Sequence, residues 1–215
     1  MRRHSPAIFL TIAALALGAA ACGDDDAASS SAASQPEPVA QVDQLSGKST
    51  AVALDAGFAD ALKSLKLTPA PVGDASISKA GVASFPITGG NVKYYKPGSV
   101  SPFVQGEIDH DGAGLSLTGG GTKVELTDFV VDPGASVLTG KVSVDGKVAA
   151  ESAPLFFLDG RTLKPLEASG DGTAVLEGTT VKLKAEAADL LNQTFKVDAL
   201  QEGLVIGVAK ITINT

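Results

Sequence analysis

Cysteine, histidine and tryptophan are almost or wholly missing from this sequence of 215 residues. The single cysteine, Cys22, excludes an internal disulfide, a Cys–His zinc site, an iron–sulfur cluster and a redox CxxC pair. One of the two histidines, His4, lies in a predicted export signal, so a catalytic triad or a histidine-based metal site could use only His110. The sequence therefore predicts a protein that holds no metal and is not an enzyme.

Basic charge and long apolar runs are also scarce. Without the first 21 residues, which carry two arginines and no acid, 15 basic and 24 acidic residues leave a net charge of -9. This negative excess disfavours a phosphate-binding surface, so nucleic acid is not expected as a partner. No segment after the export signal reaches the roughly 20 apolar residues that a transmembrane helix requires.

The first 21 residues have the composition of an export signal. Two arginines precede an apolar run at residues 7–17, and small residues lead from there to Cys22. Residues 19–23, AAACG, resemble the lipobox of bacterial lipoproteins, which implies lipidation of Cys22 after cleavage before it. We therefore expect residues 1–21 to be a lipoprotein signal peptide and the mature chain to be anchored on the extracytoplasmic side of the cell membrane.

The residues after Cys22 are polar and small. Three aspartates and then Ala, Ser, Gln and Pro fill the chain up to about residue 46, which is a composition that cannot bury a core. We predict a disordered tether over residues 22–47, with a root-mean-square reach of about 25–30 Å. Residues 48–215 form the predicted globular domain.

From Lys48 onward, short runs that alternate apolar and polar residues predict antiparallel strands. Four Asp-Gly pairs, at 111–112, 145–146, 159–160 and 171–172, favour tight turns, most clearly in a hairpin over residues 141–149. The predicted strands are Ala51–Leu54, Gly81–Ile87, Asn91–Tyr95, Val104–His110, Thr122–Val131, Pro154–Leu158, Thr173–Leu176, Thr179–Lys184 and Leu204–Asn214, beside the hairpin. Helical spacing of apolar residues predicts two short covering helices, Asp55–Leu65 and Ala185–Phe195. The predicted fold is all-β, an antiparallel β-sandwich or open barrel.

Motifs for catalysis are incomplete. The SISK run at residues 76–79 matches S-x-x-K but lies in strand-like sequence without a K-T-G partner. The acids at 109, 111 and 128 lack the remaining ligands of a calcium loop. A carboxylate pair for glycoside hydrolysis could arise anywhere among 24 acids, so a cryptic hydrolase remains an alternative.

Tyr94, Tyr95 and His110 form the one suggestive set of side chains. Adjacent strand residues point to opposite faces, so one tyrosine is expected inside and the other outside. A tyrosine phenolate can ligate haem iron, and a histidine can hold that phenolate by a hydrogen bond. These three residues are the candidate ligand-binding residues.

Two resemblances cover most of residues 51–215. The segments FPITGG (85–90), GEIDHDGAGL (106–115), VELTDFVV (124–131) and AADLLNQTF (187–195) resemble a pattern in exported actinobacterial and proteobacterial lipoproteins of unknown function. The strand, turn and hairpin around His110-Asp111-Gly112 resemble the Htaa haem-binding domain of bacterial surface haem-uptake proteins, with His110 at the position of that family's histidine. The early segment that supplies the family's tyrosine ligand has Phe58 and no tyrosine here, so Tyr94 or Tyr95 would have to replace it.

The leading hypothesis is a lipid-anchored, non-enzymatic binding or interaction module of the cell envelope. Its partners would be the membrane, through the lipid on Cys22, and an envelope protein or small ligand that the sequence does not identify. The alternatives are a haem or small-ligand carrier of the Htaa type and a cryptic hydrolase.

Overall fold

The computed structural model describes residues 36–215, and the predicted signal peptide, Cys22 and most of the predicted tether lie outside this range. The elements are β1 (Ala40–Val42), β2 (Lys48–Leu54), α1 (Ala56–Ser64), β3 (Thr68–Gly73), β4 (Ser76–Ile77), β5 (Val82–Pro86), β6 (Gly89–Tyr94), β7 (Val104–Gly119), β8 (Thr122–Asp132), β9 (Val137–Val144), β10 (Lys147–Asp159), β11 (Glu167–Ser169), β12 (Thr173–Leu183), α2 (Ala185–Phe195) and β13 (Val205–Asn214). A short 3-10 helix, Gly160–Thr162, follows β10. Neither helix in this part of the chain is long and apolar enough to cross a membrane.

The strands form one curled sheet of 13 strands. Its order is β1-β6-β7-β8-β9-β10-β12-β13-β2-β5-β4, with β3 beside β7 and β11 beside β12. Strands β2 and β7 are six places apart in this order, yet Thr50 Oγ1 lies 3.1 Å from His110 Nε2. The sheet therefore curls into a half-barrel, which confirms the predicted all-β fold in its open-barrel form.

Both predicted helices are present. In α1, the side chain of Asp55 caps the N-terminus by accepting hydrogen bonds from the backbone N–H groups of Gly57 and Phe58, at 2.8 and 3.3 Å. Leu62 is the buried residue of this helix. Helix α2 has the predicted bounds and buries Ala187, Ala188 and Leu191, because these residues share the face toward the sheet.

The hairpin predicted over residues 141–149 joins β9 to β10. Val144 pairs with Lys147, so only Asp145 and Gly146 form the loop. Their φ angles of 49° and 77° are both positive, as a type I′ turn requires. The Asp145 carboxylate also accepts a hydrogen bond of 2.8 Å from the Lys123 backbone N–H, which ties the turn to the start of β8.

The turn predicted at Asp111-Gly112 is wrong, because β7 runs through this dipeptide without reversing. Between the pairs His110↔Phe129 and Gly114↔Thr127 the register shifts, so three residues of β7 face a single residue of β8. Gly112 adopts a φ of 70° at this bulge and donates its N–H to the Asp128 carboxylate at 2.9 Å. The bulge divides β7 into a first half that pairs with β6 and a second half that pairs with β3.

The folded part of the chain begins before Lys48, the predicted boundary. Strand β1 pairs with β6 through Ala40↔Tyr94, Gln41↔Lys93 and Val42↔Val92. Leu45 is buried, and its N–H donates to the carbonyl of Gly90 at 2.8 Å. The last residues of the predicted tether are therefore an edge of the sheet.

Candidate functional site

A cavity of about 500 Å³ occupies one end of the half-barrel. Its volume lies within the range of about 300–1,000 Å³ that is usual for small-molecule sites. The lining residues are Ala40, Gln41, Val42, Thr50, Val92, Tyr94, Ser101, Pro102, Phe103, Val104, Ile108, Val131, Pro133, Ser136, Leu138, Phe157, Leu158, Asp159, Gly160, Arg161, Leu163, Leu166, Ala174, Leu176, Thr179, Ala209, Ile211, Ile213 and Thr215. Most of these side chains are aliphatic or aromatic, and Asp159 and Arg161 are the only charged ones among them.

The period of two along the strands supplies this apolar wall. On β13 the alternate residues Ala209, Ile211 and Ile213 line the cavity, whereas Val208, directly before Ala209, is exposed. On β7, Val104 and Ile108 line it in the same way. The alternation of apolar and polar residues thus makes the inner face of the sheet apolar, even at the end where the half-barrel is hollow.

Asp159 and Arg161 form a charged end of the cavity, and Lys182, which does not line the cavity, is bonded to the same carboxylate. Arg161 Nε and Nη2 donate to the two carboxylate oxygens of Asp159 at 2.8 and 2.6 Å, and Lys182 Nζ donates to the same carboxylate at 2.8 Å. These hydrogen bonds, first those from Arg161 and then the one from Lys182, hold the pKa of Asp159 well below its usual range. Asp159 therefore stays ionised and cannot act as a general acid.

The carboxylate of Asp159 is almost completely covered, with 8% of its side chain exposed, whereas the Arg161 side chain is 83% exposed. Because Arg161 also lines the cavity, the cavity reaches solvent at this end. Asp159 carries the only acidic side chain on the lining, so the side chains of the described wall offer no carboxylate pair for glycoside hydrolysis.

His110 lies below the cavity, in the filled part of the half-barrel. It is 1% exposed and borders a separate small cavity of about 40 Å³. Thr50, Val131 and Leu138 line both cavities and form the layer between them. His110 is thus placed on the inner face of β7, next in line after the cavity-lining Ile108.

Both ring nitrogens of His110 have partners in the protein. Nδ1 lies 2.8 Å from the carbonyl oxygen of Pro86, which can only accept, so Nδ1 carries the proton. The neutral Nε2 then accepts from the Thr50 hydroxyl at 3.1 Å. Burial lowers the pKa of His110, against the opposing effects of the Pro86 carbonyl and of Asp109 and Asp111.

Tyr94 and Tyr95 lie on opposite faces of the chain, as the alternation predicts. Tyr94 is buried and lines the large cavity, where its ring meets Phe103 edge to face at 5.7 Å between centroids. Tyr95 is partly exposed and does not line the cavity. Tyr94 pairs with Val104, six residues before His110 on β7, which puts the two about 20 Å apart along the strand. The structure therefore does not bring the tyrosines and His110 together.

Haem does not fit at His110 as this site is built. Its ring nitrogens are both hydrogen-bonded, and the space of about 40 Å³ beside it is far smaller than the roughly 150 Å³ of an apolar cavity that holds one benzene ring. Within residues 36–215, no three His, Cys, Asp or Glu side chains lie close enough together to hold a metal ion. In the large cavity, Tyr94 is the one lining side chain of a type that ligates haem iron and is not already in an ion pair.

The charged end was missed by sequence reasoning, which placed only a turn at Asp159-Gly160. A signal was present, since Asp159 directly follows the apolar run PLFFL at residues 154–158 and Arg161 comes two residues later. Lys182 could not be found in this way, because it reaches Asp159 through the pairing of β10 with β12.

Neither a family model nor a curated protein matches this sequence. Among solved structures, the chain is similar to the C-terminal domain of HtaA from Corynebacterium glutamicum, with a TM-score of 0.55 and 14% identity over 80% of this chain and 98% of that one. A domain-swapped dimer of a histidine-to-alanine variant of the same domain matches with a TM-score of 0.45 and 13% identity, over 74% of this chain and 92% of that one. The first similarity confirms the predicted resemblance to the Htaa domain at the level of the fold.

Proposed function

We propose that this domain is a non-enzymatic carrier of an apolar small molecule, held outside the cell membrane by a lipid on Cys22. The observation that carries the proposal is the cavity of about 500 Å³ with its apolar lining. Asp159 and Arg161 carry the only charged side chains on that lining, and they are joined in a two-pronged ion pair. The site therefore suits the binding of an apolar body better than it suits acid–base chemistry.

A cavity of this kind favours occupation by an apolar ligand. The side chains that line it lack partner atoms on one side, and an apolar ligand would supply those contacts. Removing the ligand and the wall from water contributes about 25 cal/mol per Å² of apolar surface. Binding is thus expected to stabilise the fold as well as to shelter the ligand.

The test uses N-phenyl-1-naphthylamine, an uncharged apolar dye that fluoresces on leaving water. The protein is the mature chain from residue 22 with Cys22→Ala, purified without detergent so that nothing competes for the cavity. We expect saturable binding to this protein. At 100 times its Kd the dye should stabilise the fold by about 2.7 kcal/mol, which corresponds to about 5–10 °C in Tm for a domain of this size.

Two variants on β13 separate the cavity from the surface. Ala209→Phe puts a ring on the inner face, in the cavity, and should weaken dye binding at least about tenfold. Val208→Phe puts the same ring on the outer face of the neighbouring residue and should leave binding unchanged. Equal binding by both variants, or no binding by the parent, would contradict the proposed function.

Haem is a second candidate, favoured by the buried Tyr94 on the cavity wall together with the fold likeness to the HtaA domain. In a haem titration followed by visible absorption, a Soret band lost in Tyr94→Phe but kept in Tyr95→Phe would identify Tyr94 as the ligand. His110→Ala should keep the band, because His110 lies below the Thr50 layer. A titration without a Soret band would contradict haem as the ligand, and the carrier of an apolar small molecule would remain the proposed function.

The anchor is tested in cells. The resemblance of residues 19–23 to a lipobox predicts that the wild-type protein partitions with membranes. Cys22→Ala should release the protein into the soluble extracytoplasmic fraction. A variant that stays membrane-bound to the same extent would contradict lipid anchoring at Cys22, without bearing on the cavity.

A further inference from the structure

We propose that the cavity takes a single-chain amphiphile whose anionic head, a carboxylate or a phosphate monoester, is bound by Arg161 at the charged end. This inference rests on the carrier function proposed above and names the chemical class of the ligand. It follows from the volume of the cavity, the net charge at its solvent-facing end and the hydrogen-bond donors that remain there.

The volume suits one alkyl chain. An apolar cavity of about 150 Å³ holds one benzene ring of six carbon atoms. By the same proportion, 500 Å³ corresponds to on the order of twenty carbon atoms. Two chains of that length would need about twice the space. The lining from β13 and β7 is aliphatic along this length and offers a chain no charged neighbour before Asp159 and Arg161.

The charged end, counted together with Lys182 beside it, has a net positive charge. Two cations, Arg161 and Lys182, share the single carboxylate of Asp159. That carboxylate is covered by its partners, and only 8% of its side chain is exposed, whereas most of the Arg161 side chain faces solvent. An anion that approaches along the cavity therefore meets the guanidinium rather than the carboxylate.

Arg161 keeps donors for such an anion. A guanidinium has five N–H groups, and the bonds to Asp159 use Nε and Nη2. The remaining N–H groups have no hydrogen bond within residues 36–215. The two-pronged bond to Asp159 also fixes the plane of the guanidinium, so little ordering is needed when an anion binds.

The test is displacement of N-phenyl-1-naphthylamine from the mature Cys22→Ala chain by three molecules with the same C16 chain, each kept below its aggregation concentration. Hexadecanoate and hexadecyl phosphate carry an anionic head, and 1-hexadecanol does not. We expect both anions to bind about tenfold more tightly than the alcohol. Tighter binding of one anion than of the other identifies which head the site prefers.

Arg161→Gln should reduce the affinity for both anions to that of the alcohol and leave the alcohol unchanged. Asp159 keeps Lys182 as a partner in this variant, so the fold should persist. Lys147→Gln is the matched control, because it removes the same charge at the far end of β10 and should keep the preference for anions.

Failure of this inference differs from failure of the carrier function. Equal binding of anions and alcohol, or an unchanged preference in Arg161→Gln, would overturn the role of Arg161 while the cavity remains a binding site. Displacement by two-chain dihexadecanoyl phosphatidic acid as effective as by hexadecyl phosphate would overturn the single-chain assignment. Absence of binding by the dye and by all of these molecules would overturn the carrier function itself.

Discussion

The hydrogen bond between Thr50 and His110 gives a prediction that can be worked through in free energy. Thr50→Val replaces the hydroxyl by a methyl group of similar size. Thr50 is 6% exposed and His110 1% exposed, so both partners are shielded from bulk water. His110 Nε2 would then be a buried acceptor without a donor, because Nδ1 already holds the proton and donates it to the Pro86 carbonyl.

The expected loss follows from two opposing contributions. An unpaired buried polar group costs about 1–3 kcal/mol, and burying a methyl in place of a hydroxyl offsets about 0.8 kcal/mol of this. The net decrease in the free energy of unfolding should be about 1 kcal/mol. For a domain of this length that corresponds to a decrease in Tm of about 2–4 °C.

The assay is urea unfolding followed by circular dichroism, with the same substitution repeated in a His110→Leu background. Without the imidazole, the Thr50 hydroxyl loses its partner, and Thr50→Val should then be neutral or stabilising. The change of sign between the two backgrounds isolates the coupling of the pair. The same loss of stability in both backgrounds would refute a hydrogen bond between Thr50 and His110.

Three further predictions concern pH, a turn and a strand. Burial lowers the pKa of His110 below the 6.5 of the unfolded chain, so the unfolded state gains a proton first as the pH falls. The free energy of unfolding should therefore decrease as the pH drops below about 6.5, by at most about 1.4 kcal/mol per pH unit. Urea midpoints measured from pH 8 to pH 5 should show this decrease in the wild type and lack it in His110→Leu. Gly146→Val forces a branched side chain into a φ of 77° and should lower the unfolding free energy by about 1–3 kcal/mol, whereas Asp145→Asn should be close to neutral in the same denaturation experiment. Deleting residues 203–215 removes β13 from between β12 and β2. It should abolish folding, because each buried side chain contributes about 1.5–3 kcal/mol to a total of about 5–15 kcal/mol, and a cooperative thermal melt of the truncated chain would contradict this.

The elements that could be predicted are those whose own residues carry the signal. The hairpin at Asp145-Gly146, helix α2 and the long apolar strand β13 need no distant partner to be recognised. By contrast, β3 contains Pro69 and Pro71, which disfavour a strand, and it forms only as an edge strand beside the second half of β7. Its existence depends on the bulge in β7, which the sequence presents as an ordinary turn signal.

Strand β12 shows the same limitation. The sequence predicts two strands separated at Glu177-Gly178, but the structure has one strand with a register shift between Glu177 and Thr179. Gly178 adopts a φ of 114° there, and a Cβ at this position would lie 2.3 Å from the Thr162 carbonyl oxygen. In the sequence, Gly178 favours a break between two strands. In the structure, it lies within one strand and allows the Thr162 carbonyl to approach the backbone closely.

In the candidate site, too, features that depend on neighbouring residues could be predicted and features that depend on distant strands could not. Alternation correctly placed one of Tyr94 and Tyr95 inside, because that depends on neighbouring residues alone. The distance of Tyr94 from His110 depends on register in β7, and the cavity depends on strands that are far apart in the chain, such as β6 and β13. These features arise from the curl of the whole sheet, so the sequence pattern could not reveal them.

The cavity has a physical origin in the same scarcity of large side chains that marks the sequence. Tryptophan is absent and aromatic residues make up 5% of the chain. In the filled end, Phe85 and Phe129 meet at 5.4 Å, whereas the wall of the hollow end includes Ala174 and Ala209. If the hollow were only a packing defect, Ala209→Phe would stabilise the domain with nothing lost. If it is a ligand site, the same variant gains stability without ligand but loses the increase in Tm that the ligand gives to the parent, because the introduced ring fills the space that the ligand would occupy.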